Sequence, residues 1–360
     1  MKKIISAALL LMLLLMTGCG ALTGSDSATG DTTASGSATD VADDEEFSQQ
    51  VFAMDTYMTV TAYGPHGEEA VDQATAEIER LDSLFSVGDE NSDISKVNAA
   101  GGGTVSSDTA YLIARSGELY DMTGGLFDIS VYPLMDLWGF TTLNYQVPDE
   151  ASLADALALV DGSAVNVDEE TGEVSFDIEG MEIDLGGIAK GYTSGRIMEI
   201  FEDCGVESGL VSLGGNVQLY GSKTDGSDWR IAIQNPDADE DYIAVVETSD
   251  KAIITSGGYE RYFEEDGVVY HHIVDPTTGY PADSGLQSVS IVSADGTLAD
   301  GLSTALFIMG LDDAIAFYQA HSQAFDIILY TDDGELYVSE GIADCVSSPL
   351  GLDIQVVSAE

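Results

Sequence analysis

The sequence predicts an α+β protein, one globular unit of mixed sheet and helices with enough chain for two lobes. Three observations carry that expectation. Segments with apolar residues at helical spacing are interleaved with short alternating or apolar runs. The strand-like runs crowd between residues 208 and 296 instead of alternating regularly with helices. From about Phe47 to the end, no internal repeat or linker divides the chain.

Taken in order, "VFAMDTYMTVTAYG" (51–64) alternates like one strand, and "EEAVDQATAEIERLDSLFS" (68–86) repeats apolar residues as an amphipathic helix does. "SDTAYLIARSGELYDMTGG" (107–125) reads as a helix stopped by glycines, and "ASLADALALV" (151–160) as a shorter one. "AVNVDEETGEVSFDI" (164–178) holds two strands around a turn. "EIDLGGIAKGY" (182–192) reads as a strand end, a glycine turn and a helix start, the helix running on to about Gly205. After the short strands comes "LADGLSTALFIM" (298–309), a helix apolar nearly all round and therefore expected to be buried. Asp300, Ser303 and Thr304 share one face of it at spacings of three and four. Thr297-x-x-Asp300 can be read as a capping box, with Ser303 and Thr304 bonding back to carbonyls. The alternative is a set of hard oxygen ligands for a divalent cation such as magnesium or calcium.

The amino terminus is read as a leader, not as fold. Lys2 and Lys3, an apolar run, and Thr17-Gly18-Cys19 resemble a lipoprotein signal (1–19) in which Cys19 becomes the lipidated first residue. Residues 20–46, rich in Gly, Ser, Thr, Ala and Asp, read as a flexible tether ahead of a domain spanning 47–360. The expectation is an exported protein, lipid-anchored to a bacterial membrane on its extracytoplasmic side. Cys204 and Cys345 form neither a disulfide framework nor a metal-ligand pattern.

Charge narrows the partners. Lys and Arg number 11 against 64 Asp and Glu, a formal net charge of −53. Nucleic acid is excluded, because phosphate neutralisation needs clustered cations. Nine of those 11 cations remain once Lys2 and Lys3 are set aside. A phosphate ligand would then rely on metal ions, helix N-termini and backbone amides. Lys190, at a glycine turn where backbone can approach a ligand, is one of the nine.

Other stretches could carry chemistry. "SLGGNVQLYG" (212–221) has a second glycine pair, which a plain β-turn explains, and "TSGGYERYF" (255–263) sets Thr255, Ser256 and Arg261 beside a third. "GGLFDISVYPLMDLWGF" (124–140) is aromatic-rich, fit for core or for a flat-ring pocket. In "YHHIVDPTTGYP" (270–281), adjacent His271 and His272 must point to opposite faces of a strand.

Together "MDTYM", "FDISVYPLMDLWGF", "DLGGIAKGY", "SLGGN", "TSGGYERYF…YHHIVDPTTGYP" and "ADGLSTALFIMG", in this order over residues 54–310, resemble the ApbE family of FAD:protein FMN transferases. The resemblance implies an ApbE-like fold and magnesium bound by Asp300, Ser303, Thr304 and the carbonyl of Gly187. It implies FAD contacts at Met54, Ile129, Ser130, Val131, Asp184, Lys190 and Val274. Gly88 in "LFSVGD" stands where the family often has an aromatic residue stacked on the flavin, and Asp55 where many members have glycine. The implied reaction is magnesium-dependent transfer of FMN from FAD to a Thr or Ser hydroxyl of a partner protein, releasing AMP. His272 is the expected general base. The competing expectations are a magnesium-dependent FAD pyrophosphatase and a lipid-anchored FAD-binding protein without turnover.

Overall fold

A computed structural model describes residues 42–360, side chains of 239 and 240 excepted. The signal and most of the tether, including Cys19, lie outside the described residues. The chain opens with β1 (Glu46–Ala53) and β2 (Thr56–Tyr63), then α1 (Gly67–Phe85), α2 (Asp93–Ala100), β3 (Gly102–Thr104) and α3 (Ser107–Thr123). Next come α4 (Tyr132–Trp138), α5 (Glu150–Leu157), β4 (Val165–Asp168), β5 (Glu173–Phe176) and α6 (Ala189–Cys204). Strands follow: β6 (Gly209–Leu213), β7 (Asn216–Tyr220), β8 (Trp229–Asn235), β9 (Ala238–Thr248), β10 (Ala252–Gly257), β11 (Tyr262–Glu265), β12 (Val268–His271) and β13 (Leu286–Ser293). The chain closes with α7 (Gly296–Met309), α8 (Leu311–His321), β14 (Asp326–Thr331), β15 (Leu336–Ser339), β16 (Val346–Ser347) and β17 (Ile354–Val357).

One nine-stranded sheet, ordered β1-β2-β6-β7-β10-β13-β14-β15-β17, organises the molecule. Its central strands are buried on both faces, and their alternation shows how. Ile254, Ile291, Ile327 and Leu329 point into a core shared with α3 and α7. Ile253, Val292, Ile328 and Tyr330 point the other way, onto Ile233, Ile243 and Val246 of the separate β16-β9-β8 sheet. Both faces draw on the same strands, so the molecule is a single unit built around one sheet.

Two local expectations are corrected. Residues 51–64 are a hairpin, not one strand: Phe52 pairs with Tyr57 across a two-residue turn in which Met54 (φ 48°) and Asp55 (φ 59°) are both left-handed. Alternation has the same period on both sides of such a turn and only shifts phase by one residue, Ala53 sharing a face with Thr56, so period alone does not mark the break. The segment before the 186–187 glycine pair pairs with no strand; Asp184 N donates to Ile129 O at 2.8 Å and Ile183 N to Asn98 Oδ1 at 2.9 Å. Ahead of β1, which begins at Glu46, Glu45 N donates to Ala42 O at 3.1 Å. Cys204 and Cys345 are both free. Among the described residues, no helix is long and apolar enough to cross a membrane.

Candidate active site

Helices α6 and α7 cross in backbone contact, and the site is built on that crossing. A Cβ on Gly191 would lie 2.2 Å from Gly296 O and 2.6 Å from Asp300 Cβ, so only glycine allows the approach. The contact brings the Gly191 amide to Asp300 Oδ2 at 2.7 Å. Asn216, set just after the Gly214–Gly215 turn, donates from Nδ2 to Asp300 Oδ1 at 2.8 Å.

These bonds overturn the capping box. Asp295 is the N-cap of α7, accepting from Leu298 N at 3.0 Å, while Thr297 lies inside the first turn. Asp300 serves α6 and β7, not its own helix end. The back-bonding expectation for Ser303 does hold: its hydroxyl donates to Asp300 O at 2.8 Å and also pairs with Ser256 Oγ at 2.8 Å.

A cleft opens beside this crossing, with about 830 Å³ of space between protein atoms, part of it open to solvent. Ile129, Val131, Asp184, Gly187, Lys190, His272, Val274, Asp300 and Thr304 all line it. Met54, Ser130 and Ser303 do not. Met54 sits half-buried at the hairpin turn, its amide donating to Asp82 Oδ1 at 2.8 Å. The Ser130 hydroxyl is turned inward, donating to Asp128 Oδ1 at 2.6 Å and accepting from Asp161 N at 2.9 Å. Ser303 stands behind Ser256. Gly88 is exposed and outside the cleft.

The two histidines part, although only His271 belongs to β12 and His272 lies just beyond its end. His271 is held away from the cleft, with Nε2 2.9 Å from Ala282 O and its ring edge-on to Phe307. His272 faces the cleft, with Nδ1 3.3 Å from Arg261 O. A carbonyl only accepts, so Nδ1 carries the proton and Nε2 is left as the acceptor. Burial, with the positive charges of Arg261 and Lys190, pushes the His272 imidazolium down to about 3.

Opposite signs govern the carboxylates. Burial raises both Asp184 and Asp300 above the usual range, while Lys190 and the bonded amides pull them back. Lys190 and Arg261 form no ion pair with any carboxylate among the described residues; they donate only to carbonyls, of Gly186 and Phe140, each at 3.4 Å. By contrast Arg80, Arg115, Arg196 and Arg230 are all paired to carboxylates elsewhere. Lys96, Lys223 and Lys251 are likewise outside the ion pairs of the described residues. Lys190 alone of these lines the cleft, with Arg261 acting by charge on Asp184 and His272, and in so acidic a chain that favours an anionic ligand there.

Several lining groups were not singled out from sequence. Asn216 had a signal, the glycine pair before it, but a plain turn explains that pair equally well. Glu260, Phe127 and Met135 also line the cleft, and only the fold reveals it. Trp138 and Phe140 of the aromatic segment are wholly buried core.

The model of the ApbE family matches residues 54–329. The chain belongs to the ApbE family. A FAD:protein FMN transferase of Klebsiella pneumoniae is 32% identical over 303 residues, covering 83% of this chain and 93% of that protein. One from Vibrio cholerae is 36% identical over 233 residues, 64% of this chain and 69% of that protein. Among solved structures, the ApbE protein of Thermotoga maritima superposes with a TM-score of 0.78 at 33% identity, covering 84% of this chain and 99% of that one. The flavin transferase ApbE from Vibrio cholerae gives 0.75 at 28% identity over the same shares. This ApbE-family chain is thus an enzyme of the flavin transferase class, with the mixed α/β fold of its solved relatives.

Proposed function

We propose that this protein transfers FMN from FAD to a Thr or Ser hydroxyl of a partner protein, releasing AMP, at the cleft beside Asp300. The observation that carries the reading is that one cleft holds Lys190, which has no carboxylate partner, beside the Asp300 carboxylate buried at a glycine crossing. Lys190 and Arg261 hold the pyrophosphate by charge. Ile129, Val131 and Val274 offer apolar surface for the flavin ring, and Phe127 and Met135 extend it. His272, neutral across the physiological range, accepts a hydrogen bond at Nε2 and orients an incoming hydroxyl.

The donor set beside Asp300 fits magnesium. Among the described residues no group of three or more His, Cys, Asp or Glu could hold a metal ion, so a nitrogen or sulfur site of the zinc type is absent there. What the cleft offers is hard oxygen: the Asp300 carboxylate, the Thr304 hydroxyl, the Gly187 carbonyl and, behind them, Ser303. Each Asp300 oxygen accepts one bond and has a lone pair left. When bound, the ion would neutralise pyrophosphate charge as AMP departs.

The membrane anchor belongs to the same reading. Thr17-Gly18-Cys19 and the polar stretch behind it support export and lipidation of Cys19, which sets the enzyme beside extracytoplasmic membrane partners. The test is incubation with FAD, magnesium and candidate acceptor proteins, read by in-gel flavin fluorescence after denaturation and by acceptor mass. Flavin retained on the denatured acceptor, with AMP in solution, is expected. Free FMN and AMP with no labelled protein would replace transfer by hydrolysis, and intact FAD throughout would leave a binding protein.

A further inference from the structure

Three hydroxyls meet where α7 packs over the end of β10, and the proton of each bond can be assigned. Alternation along β10 sets Ser256 on the same face as Ile254, which is buried in the core shared with α7. Just before the Gly257–Gly258 pair that face runs out into the cleft, which Ser256 and Thr304 both line. The Ser256 hydroxyl lies 2.8 Å from Ser303 Oγ and 3.4 Å from Thr304 Oγ1.

Ser303 fixes the direction of the chain. Its Oγ is 2.8 Å from Asp300 O, and a carbonyl only accepts, so the one Ser303 proton is spent there. The bond between the two serines therefore takes its proton from Ser256. That leaves Ser256 no proton to offer the cleft, only a lone pair. Thr304 fits the same pattern. A threonine inside a helix often bonds back to a carbonyl one turn earlier. Thr304 does not; its one side-chain partner among the described residues is Ser256, at a distance beyond the usual range of an O–H···O bond.

Two cleft oxygens that hold each other weakly and keep lone pairs free suit a hard cation. Magnesium holds its oxygens at about 2.0–2.1 Å in an octahedron, so neighbouring ligands stand about 3 Å apart. The 3.4 Å between Ser256 Oγ and Thr304 Oγ1 is a few tenths of an ångström from that spacing. Ser303 has neither property: it is wholly buried, it does not line the cleft, and its proton is committed.

We propose that Ser256 is a ligand of the magnesium ion, beside Thr304 and Asp300, in the place that the family resemblance gives to Ser303. Ser303 is a positioning residue: by accepting the Ser256 proton it keeps the Ser256 lone pair toward the ion. This rests on the magnesium site of the reading above.

The experiment exchanges hard oxygen for soft sulfur at each serine. Wild type, Ser256→Cys, Ser303→Cys and Ser256→Ala are titrated with magnesium alone and with cadmium alone, with and without FAD. Each affinity is read from the rise in melting temperature, and Cys204 and Cys345, present in every form, cancel in the comparison. Sulfur favours the softer ion, so Ser256→Cys should raise the ratio of cadmium to magnesium affinity by at least about tenfold over wild type. Ser303→Cys should leave that ratio within about threefold, because its sulfur does not touch the ion. Ser256→Ala should weaken magnesium about tenfold or more, and it decides the matter if the cysteine variant does not fold. A rise in the ratio for Ser303→Cys returns ligation to Ser303 and overturns the proposal. So does a folded Ser256→Cys with the wild-type ratio, or unchanged magnesium affinity in Ser256→Ala. If magnesium shifts the wild-type melt neither with nor without FAD, the magnesium reading fails first and this proposal with it; a responsive wild type beside an equally responsive Ser256→Ala sinks this proposal alone.

Discussion

Burial pushes the Asp300 carboxyl up, and the charge of Lys190 with the Gly191 and Asn216 donors from other elements pulls the other way by favouring the charged form. Asp300→Asn puts an amide NH2 where one of two facing donors needs an acceptor, leaving one unsatisfied at a cost of about 1–3 kcal/mol. The variant should fold, lose most turnover, and lose the rise in melting temperature that magnesium gives the wild type. An unchanged magnesium-dependent melt in that variant would remove Asp300 from the metal site. His272 yields a pH prediction. With its folded value near 3 against an ordinary 6.5, the unfolded chain binds more protons between those limits. Stability attributable to this residue is therefore complete above about 6.5 and falls as pH drops toward 3. His272→Asn should make the urea midpoint less sensitive to pH between 4 and 6.5; a slope identical to wild type would show that the imidazole is not desolvated.

Elements meet here through glycine. The α6–α7 crossing depends on Gly191, and Gly191→Ala drives a methyl into the Gly296 carbonyl, which is backbone and cannot rotate away. Overpacking of this kind typically costs about 1–3 kcal/mol, and more where backbone must move. Urea denaturation should show at least that loss, and FAD binding should weaken because Lys190 and Asp300 shift apart. The β1–β2 turn offers the reverse. Asp55 has φ 59° in a position glycine occupies without strain, so Asp55→Gly should stabilise by a few tenths to about 1 kcal/mol. A fall in the denaturation midpoint would mean that the Asp55 side chain makes a contact worth more than the strain.

At the scale of the molecule, one sheet carries two different duties. Its α3–α7 face holds the cleft, while the opposite face packs against β8 and β9. Activity should therefore survive removal of everything before Ala42, since the first described hydrogen bond joins Glu45 to Ala42. A soluble form starting there is expected to transfer flavin at the full-length rate. Cys19→Ala in the full chain should release the protein from membranes or leave it unprocessed. Unchanged membrane fractionation of a form still cleaved before residue 19 would exclude the lipid anchor.

Periodicity was enough to locate α1, α3, α5, α6 and α7, because each has a covered face and a wet one or is covered throughout. Ordered glycine and acidic motifs were enough for the family. The hairpin at Met54–Asp55 was invisible, since alternation has the same period on both sides of a two-residue turn. So were the true cap at Asp295 and the partners of Asp300, which lie 109 and 84 residues away in sequence. Nothing local marks Gly191 and Asn216 as donors to one carboxylate. Sequence by itself determined which elements form and which residue types the site has at its disposal. Only the packed structure decided which of them meet, because hydrogen bonds and desolvation depend on distance in space, and the α6–α7 crossing brings together what the chain keeps apart.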